Sequence, residues 1–82
     1  MIPVHPDLTE MQSEVLYQLW TEIREGSRDY VYLNMSVYGP LRRLGMISIE
    51  ETPVYVPDRS TPDRYMLRVE FTERGKKLMR GE

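Results

Sequence analysis

The apolar residues of this chain change their spacing at Met46. Between Leu8 and Ile23 they recur at steps of three and four, which is the period of a helix that is buried on one side. From Met46 onward they alternate with polar residues, which is the period of a half-buried strand. Both periods within 82 residues predict a single α+β domain over residues 1–82, because a chain of this size has room for one small core.

The helical pattern predicts a first helix from about Thr9 to Glu25. Thr9 and Gln12 have the spacing of a capping box, and Gly26 is placed to end the helix. The polar residues, Ser13 among them, are assigned to the opposite face. The apolar stripe is broad enough to offer a homodimer interface as well as a core face; it consists of Leu8, Met11, Val15, Leu16, Leu19, Trp20 and Ile23.

A second helix is expected directly before the change of period. Leu41 and Leu44 lie three apart, so they share one helix face, while Arg42 and Arg43 point elsewhere. Gly45 is expected to end this helix, because glycine adopts the left-handed conformation that commonly follows a last turn. The helix therefore places the strand that follows it.

The segment before the second helix has two interpretations. Ser27 can cap a short helix over residues 28–33, whereas the run from Tyr30 to Leu33 is rich in residues that favour strands. The pattern of residues 27–34 does not choose between a helix and a strand. Gly39 and Pro40 suit a first helical turn better than a helix interior, so the regular part of the second helix is expected to begin near Pro40.

Two antiparallel strands are predicted after Met46. The second alternates cleanly, with an apolar face made of Tyr65, Leu67, Val69 and Phe71. In the first, the apolar positions change parity around Pro53, which predicts a bulge or kink in a strand at the sheet edge. Residues 57–64 are polar and have a proline near each end, so they predict an exposed loop between the strands.

The two ends of the chain are expected to add little to the core. Pro3 and Pro6 predict an extended arm over residues 1–7, with His5 exposed on it. Thr72 is expected to cap a short final helix that runs to Met79. Residues 80–82 are expected to fray.

Composition excludes several classes of protein. One histidine, no cysteine and no glycine-rich phosphate loop predict no enzyme, no catalytic residue, no metal site and no cofactor. No apolar run reaches the ~18 residues of a membrane span, and the first residues lack the pattern of a signal peptide, so a cytoplasmic protein without membrane contact is expected.

The net charge of −2 is unevenly spread along the chain. Residues 1–27 hold one basic and five acidic side chains, whereas residues 28–82 hold ten basic and eight acidic ones. Such an asymmetry suits a domain with one basic face for DNA and an acidic face elsewhere.

Two short motifs resemble a known family. The stretch from Leu41 to Ile47 reads Leu-Arg-Arg-Leu-Gly-Met-Ile, and the stretch from Phe71 to Leu78 reads Phe-Thr-Glu-Arg-Gly-Lys-Lys-Leu. They are similar to the end of the recognition helix and the end of the wing in winged helix-turn-helix domains of the multiple-antibiotic-resistance and phenolic-acid regulators. The resemblance implies helices packed against a two- or three-stranded antiparallel wing sheet, and a small transcriptional regulator that binds double-stranded DNA as a dimer.

On this resemblance, seven residues are expected to contact DNA. Five would enter or flank the major groove, where arginine can read a guanine edge or hold a phosphate: Ser36, Val37, Tyr38, Arg42 and Arg43. Two on the tip of the wing, Arg59 and Arg64, would contact the backbone or the minor groove. In the simpler interpretation the first two arginines form a solvated helix face, and the wing arginines pair with the adjacent Asp58 and Asp63.

A second hypothesis assigns the same fold to a protein that does not bind DNA. The acidic net charge favours a protein-interaction module, an adaptor or inhibitor of the kind that phages and mobile elements encode, which presents its acidic helix face or its wing to a protein. Binding to duplex DNA that weakens steeply with salt would distinguish the regulator from this module.

Overall fold

A computed structural model describes residues 5–82, which contain three helices and three strands. In chain order these are α1 (Glu10–Ile23), β1 (Ser27–Tyr30), α2 (Met35–Arg43), β2 (Ile47–Val54), β3 (Arg64–Phe71) and α3 (Glu73–Arg80). The strands form one antiparallel sheet in the order β1-β3-β2. The predicted α+β class is confirmed.

One face of the sheet carries the core. On β3 the buried Val69 and Phe71 alternate with the exposed Arg68 and Glu70, and on β2 the buried Ile47 lies opposite Phe71. The other face of the sheet is polar, as is usual for an antiparallel sheet that is covered on one side. The helices complete the core, and its most deeply buried side chains are Leu16, Leu41, Met46, Ile47 and Val69.

The hairpin, defined here as β2, β3 and the loop of residues 55–63, is regular along its whole length. Every residue of β2 has one partner on β3, so the predicted bulge or kink near Pro53 is wrong. Without a bulge, Val54 lies on the opposite face of the sheet from Ile47. This placement costs little, because the end of the hairpin near Val54 lies outside the core. Tyr65, which pairs with Pro53 there, is 51% exposed. β2 is an edge strand, as expected from its proline.

The segment between α1 and α2 forms a strand. β1 pairs with β3 from Ser27 to Tyr30, so the first part of this segment is a strand rather than a helix. Of the strand-forming run from Tyr30 to Leu33, only Tyr30 is paired. No helix lies between α1 and α2 in this fully described stretch. α2 is therefore the one helix that precedes the hairpin directly.

A carboxylate on α1 holds β1 in place. Glu22 accepts hydrogen bonds from the hydroxyl of Tyr30 at 2.7 Å and from the guanidinium of Arg28 at 3.2 Å. Burial, together with the hydrogen bond to Glu22, raises the pKa of the Tyr30 hydroxyl to about 12. The hydroxyl therefore keeps its proton and remains a donor to Glu22 at neutral pH.

α1 begins as predicted and ends two residues early. The capping box is present, because the Thr9 hydroxyl accepts from the amide of Gln12 at 3.1 Å and the Gln12 side chain accepts from the amide of Thr9 at 2.9 Å. The helix ends at Ile23, and Arg24, with a φ of 47°, leaves the helix in place of the expected Gly26.

Ser13 is a correction to the predicted polar face of α1. It lies three residues before Leu16, so it shares the inner face with that residue and is buried. Its hydroxyl has no hydrogen-bond partner among the described residues. A buried hydroxyl without a partner loses its hydration without compensation.

Ser13→Ala should therefore stabilise the protein. Removing the unpartnered hydroxyl and improving helix propensity should raise the free energy of unfolding by about 1 kcal/mol. Urea denaturation followed by circular dichroism measures this change, and Ser60→Ala in the exposed hairpin loop is the control, expected to be neutral. A Ser13→Ala variant less stable than the parent would show that the hydroxyl is bonded.

The N-terminal segment within the described range is a turn. The amide of Leu8 donates to the carbonyl of His5 at 3.0 Å, and the His5 ring accepts from the amide of Asp7 at 3.1 Å and lies 3.3 Å from Arg74. The His5 side chain is only 18% exposed. The predictions of an extended arm and an exposed His5 are wrong for residues 5–7, and residues 1–4 of that arm lie outside the described range.

The C-terminal residues bond to α3 and to the end of α1. Gly81 adopts a φ of 77°, and the amide of Glu82 donates back to the carbonyl of Lys77 at 2.8 Å, which satisfies the last turn of α3. Arg80 pairs with Glu25 at 2.6 Å and so connects α3 to the end of α1. These contacts join residues 80–82 to α3 and to the end of α1, while their predicted fraying stays a prediction.

Gly45 ends α2 as predicted. With a φ of 76°, its amide donates to the carbonyl of Arg42, and the amide of Met46 donates to the carbonyl of Leu41, each at 3.0 Å. Leu41 and Met46 are both fully buried. The two backbone hydrogen bonds and this apolar pair are the features of a helix C-terminus that ends with a left-handed glycine. β2 then starts at Ile47 with its side chain in the core.

The start of α3 packs on the backbone of this same turn. The amide of Thr72 donates to the carbonyl of Met46 at 3.1 Å, and the Thr72 hydroxyl donates to the carbonyl of Gly45 while capping α3 at the amide of Gly75, 3.1 Å away. A Cβ on Gly75 would lie 2.9 Å from the carbonyl carbon of Met46 and closer still to its oxygen. Only glycine allows this approach without displacement.

Gly75→Ala should destabilise the fold. The added methyl forces α3 away from the turn after α2, and overpacking of this kind costs about 1–3 kcal/mol in the free energy of unfolding. Thermal and urea unfolding measure the loss, with Lys77→Ala on the exposed side of α3 as a control that should change stability by less than about 0.5 kcal/mol. Equal stabilities of the two variants would contradict the close approach.

Candidate nucleic-acid interface

The helix α2 starts earlier than the position of Pro40 predicted. It runs from Met35 through Pro40 to Arg43, so the expectation that it begins near Pro40 is wrong. Pro40 leaves the carbonyl of Ser36 without its helical donor. The steric conflict between a proline ring and the Cβ of the residue before it does not arise, because that residue is Gly39.

Two features hold the start of α2 against the core. The side chain of Asn34 accepts from the amide of Ser36 at 3.0 Å and caps the helix. Leu33, one residue before the cap, is buried, and Tyr38, in the second turn, packs against the same core. These are the positions of a hydrophobic staple, which sets the angle between a helix and the chain that leads into it.

The five predicted contact residues of α2 divide between two faces. Ser36, Arg42 and Arg43 are exposed, whereas Val37 and Tyr38 are partly buried, on the side of the buried Leu41. The helix therefore presents the serine and the two arginines to a partner. Tyr38 is a packing residue, and Val37 lies at the boundary of the two faces.

The two predicted residues of the hairpin lie near its tip. Arg59 is in the loop and Arg64 begins β3, and both are exposed. Asp58, in the same loop, has a left-handed backbone conformation with a φ of 74°. Neither arginine forms an ion pair with any carboxylate of residues 5–82, so the simpler interpretation, in which they pair with Asp58 and Asp63, is not what the structure contains.

Three other arginines, one of them on β3 of the hairpin, form ion pairs within the fold. Arg28 pairs with Glu22 at 3.2 Å, Arg80 with Glu25 at 2.6 Å, and Arg68 with Asp29 across two strands at 3.1 Å. The hydrogen bond to Asp29 raises the pKa of the Arg68 guanidinium further above its usual value.

Four of the five exposed arginines of α2 and the hairpin contrast with this use, Arg68 being the exception. Within residues 5–82, Arg42, Arg43, Arg59 and Arg64 have no carboxylate partner. The other two arginines without such a partner lie outside α2 and the hairpin; they are Arg24, after α1, and Arg74, on α3. Four of the six arginines without a carboxylate partner thus lie on α2 and the hairpin, while Lys77 of α3 is a further cation without one in residues 5–82.

A groove of about 420 Å³ separates α2 from the sheet face of the hairpin. Its walls are formed by Met35 and Arg42 of α2 and by Ile49, Glu51 and Leu67 of the hairpin. Met35 and Arg42 are seven residues apart and therefore lie on the same side of α2, two turns from one another. The groove joins an apolar end at Met35 to a cationic end at Arg42.

Sequence reasoning missed three exposed apolar residues at the start of α2. Val31 is 70% exposed, Tyr32 76% and Met35 43%. A signal was present, since these residues fit neither the helical stripe of α1 nor the alternation of the strands. Pattern alone could not show that the fold leaves these three side chains exposed, or that Met35 lines the groove.

No family model, curated protein or solved structure matches this chain. The resemblance of the segments Leu41–Ile47 and Phe71–Leu78 to winged helix-turn-helix regulators therefore stays a prediction. Within the described part of the chain, no helix is both long and apolar enough to cross a membrane.

Proposed function

We propose that this protein is a small winged-helix DNA-binding protein that acts as a transcriptional regulator. In this proposal α2 enters the major groove and the hairpin is the wing. The observation that carries it is the concentration of unpaired arginine on these two elements, because exposed cations without internal partners are free to neutralise phosphates or to read bases.

The composition of α2 supports its role as the reading helix. It has nine residues and no acidic side chain, and both arginines lie in its last turn. Nine residues span about 13 Å, a length that fits the major groove, which is about 12 Å wide. Ser36 and Arg43 are seven residues apart, so they follow one edge of the helix and can contact neighbouring bases or phosphates.

The hairpin supports the role of a wing. Its core face passes from the buried Val69 to the half-exposed Tyr65, so its far end projects beyond the helices. Arg59 and Arg64 lie at this projecting end. Arginine at such a position can hold the phosphate backbone or enter a minor groove, while α2 occupies the adjacent major groove.

Eight of the thirteen acidic residues lie outside the hairpin, and the five within it are Glu50, Glu51, Asp58, Asp63 and Glu70. Glu10, Glu14, Glu22 and Glu25 are exposed on α1 and the turn after it. A regulator of this kind acts in the cytoplasm, where we expect this protein. The dimer remains part of the proposal, with Met11 and Tyr17 as the exposed apolar residues of α1, since most of the apolar stripe is buried within the protomer.

Binding to duplex DNA should depend steeply on salt. If all four arginines contact phosphates, the logarithm of the association constant should fall with the logarithm of salt concentration with a slope of about −3.6, and Arg59→Ala or Arg64→Ala should each reduce the slope by about 1. Fluorescence anisotropy with a labelled duplex between 50 and 200 mM salt, on the order of the range over which such binding changes, measures this. No binding at the lowest salt would refute the proposal.

Arg42 and Arg43 should matter beyond their charge. On a duplex selected from a random library, Arg42→Ala or Arg43→Ala should weaken binding by about 1–3 kcal/mol if that arginine reads a base. Arg24→Ala is the matched control, since it removes the same charge from an exposed, unpaired arginine after α1. If both variants bind as tightly as this control, α2 is not the reading helix.

A specific observation favours a second candidate function. A strand, β1, stands where a helix-turn-helix unit has the helix that presses the reading helix into the groove. Together with the net charge of −2, this favours the protein-interaction module, an adaptor or inhibitor that uses the same face. The salt series separates the two candidates, because only the DNA-binding protein requires duplex affinity at low salt.

A further inference from the structure

The start of α2 exposes a group of large apolar side chains. Val31, Tyr32 and Met35 lie within five residues of one another, and between 43% and 76% of each is accessible to solvent. Large apolar side chains exposed within so short a segment of a small domain mark a candidate binding surface. We call these three residues the apolar cluster.

The surroundings of the apolar cluster define what can bind there. Met35 shares the groove with Arg42, and Arg43 follows on the same helix without a carboxylate partner in residues 5–82. A suitable partner offers apolar groups to one end of α2 and negative charge to the other. A purely apolar peptide would leave both arginines without compensation on burial.

A second copy of the chain is a poorer fit to this face. Two copies would bring the arginines of α2 together, and α2 itself has no acidic residue to balance them. Glu51, which lines the groove, supplies one carboxylate for two guanidinium groups. Like charges opposed across an interface oppose association.

Duplex DNA satisfies both requirements at once. Phosphates border the major groove and meet arginine, while the floor of the groove displays the C5-methyl group of thymine, the apolar group among the base edges there. Methionine is unbranched and adaptable, so it can follow a methyl group whose position varies with the local DNA geometry.

We propose that Met35, supported by Tyr32 and Val31, makes the protein select thymine by contact with its methyl group, next to the positions contacted by Arg42 and Arg43. This inference rests on the proposed DNA-binding function and specifies which base the start of α2 selects. It assigns specificity to residues that precede the arginines along the chain.

Replacement of thymine by deoxyuridine tests the proposal. A duplex selected by the protein from a random library is resynthesised with each thymine changed in turn to deoxyuridine, which removes the methyl group and keeps the other base edges. Loss of one buried methyl corresponds to about a fourfold weaker affinity. We expect this loss at one or two positions with the parent protein and no loss at the same positions with Met35→Ala.

Two further variants make the test specific to the apolar cluster. Lys77→Ala removes a long exposed side chain from α3, outside α2, the hairpin and the proposed dimer face, and should keep the full response to deoxyuridine. Tyr32→Ser is measured in parallel, so that the result does not depend on one substitution, and should reduce the response. Circular dichroism melting curves verify that each variant is folded.

The possible outcomes separate this inference from the function on which it rests. If the parent protein binds no duplex at low salt, both fail. If it binds but selects no sequence, or if deoxyuridine has no effect at any position, the thymine contact is refuted while DNA binding stands. An undiminished deoxyuridine effect with Met35→Ala and Tyr32→Ser would assign thymine recognition to other residues and would also refute the proposal.

Discussion

The approach of Gly75 to the backbone of Met46 is the contact on which the arrangement of this domain depends. It brings the first turn of α3 onto the turn that ends α2, and Thr72 bonds to both carbonyls of that turn. Since β2 begins one residue later, a single junction sets α2, α3 and the base of the hairpin relative to one another. The exposed face of α2 and the projecting end of the hairpin keep a defined geometry because of it.

The absence of a helix between α1 and α2 changes how α2 is supported. In a helix-turn-helix unit the preceding helix crosses the reading helix and presses on it. Here the buried Leu33, the packed Tyr38 and the fully buried Leu41 hold α2 from its own chain and the segment before it, and β1 is fastened to α1 through Glu22. Supported in this way, α2 leaves Ser36, Arg42 and Arg43 exposed to solvent.

The arginines of this protein divide into those that form ion pairs within the fold and those that are exposed without a partner. Arg28, Arg68 and Arg80 each join two elements through a carboxylate, whereas Arg42, Arg43, Arg59 and Arg64 have no such partner among residues 5–82. Exposed ion pairs contribute little to stability, so leaving these four arginines unpaired costs the fold little. The apolar cluster beside them adds a second kind of contact to the same face.

The sequence by itself determined the elements whose signals are local. The Thr9 capping box, the left-handed Gly45 and the Thr72 cap depend on neighbours a few residues away, and each formed as predicted. The apolar stripe of α1 and the alternation of β3 also formed, except that Met11 and Tyr65 are exposed. Of the candidate site, local spacing also placed Arg42 and Arg43 away from the leucine face of α2.

Only the tertiary structure decided what depends on distant neighbours. Ser13 is buried because of what α1 packs against, Val54 needs no bulge because the hairpin has already left the core, and the end of α3 is joined to the end of α1 because Arg80 reaches Glu25. The same holds for the site: which arginines are paired is set by contacts as remote as Asp29 with Arg68, and the exposure of Met35 depends on the path of the chain around the groove. Burial and pairing are properties of the assembled fold, so residue spacing alone cannot supply them.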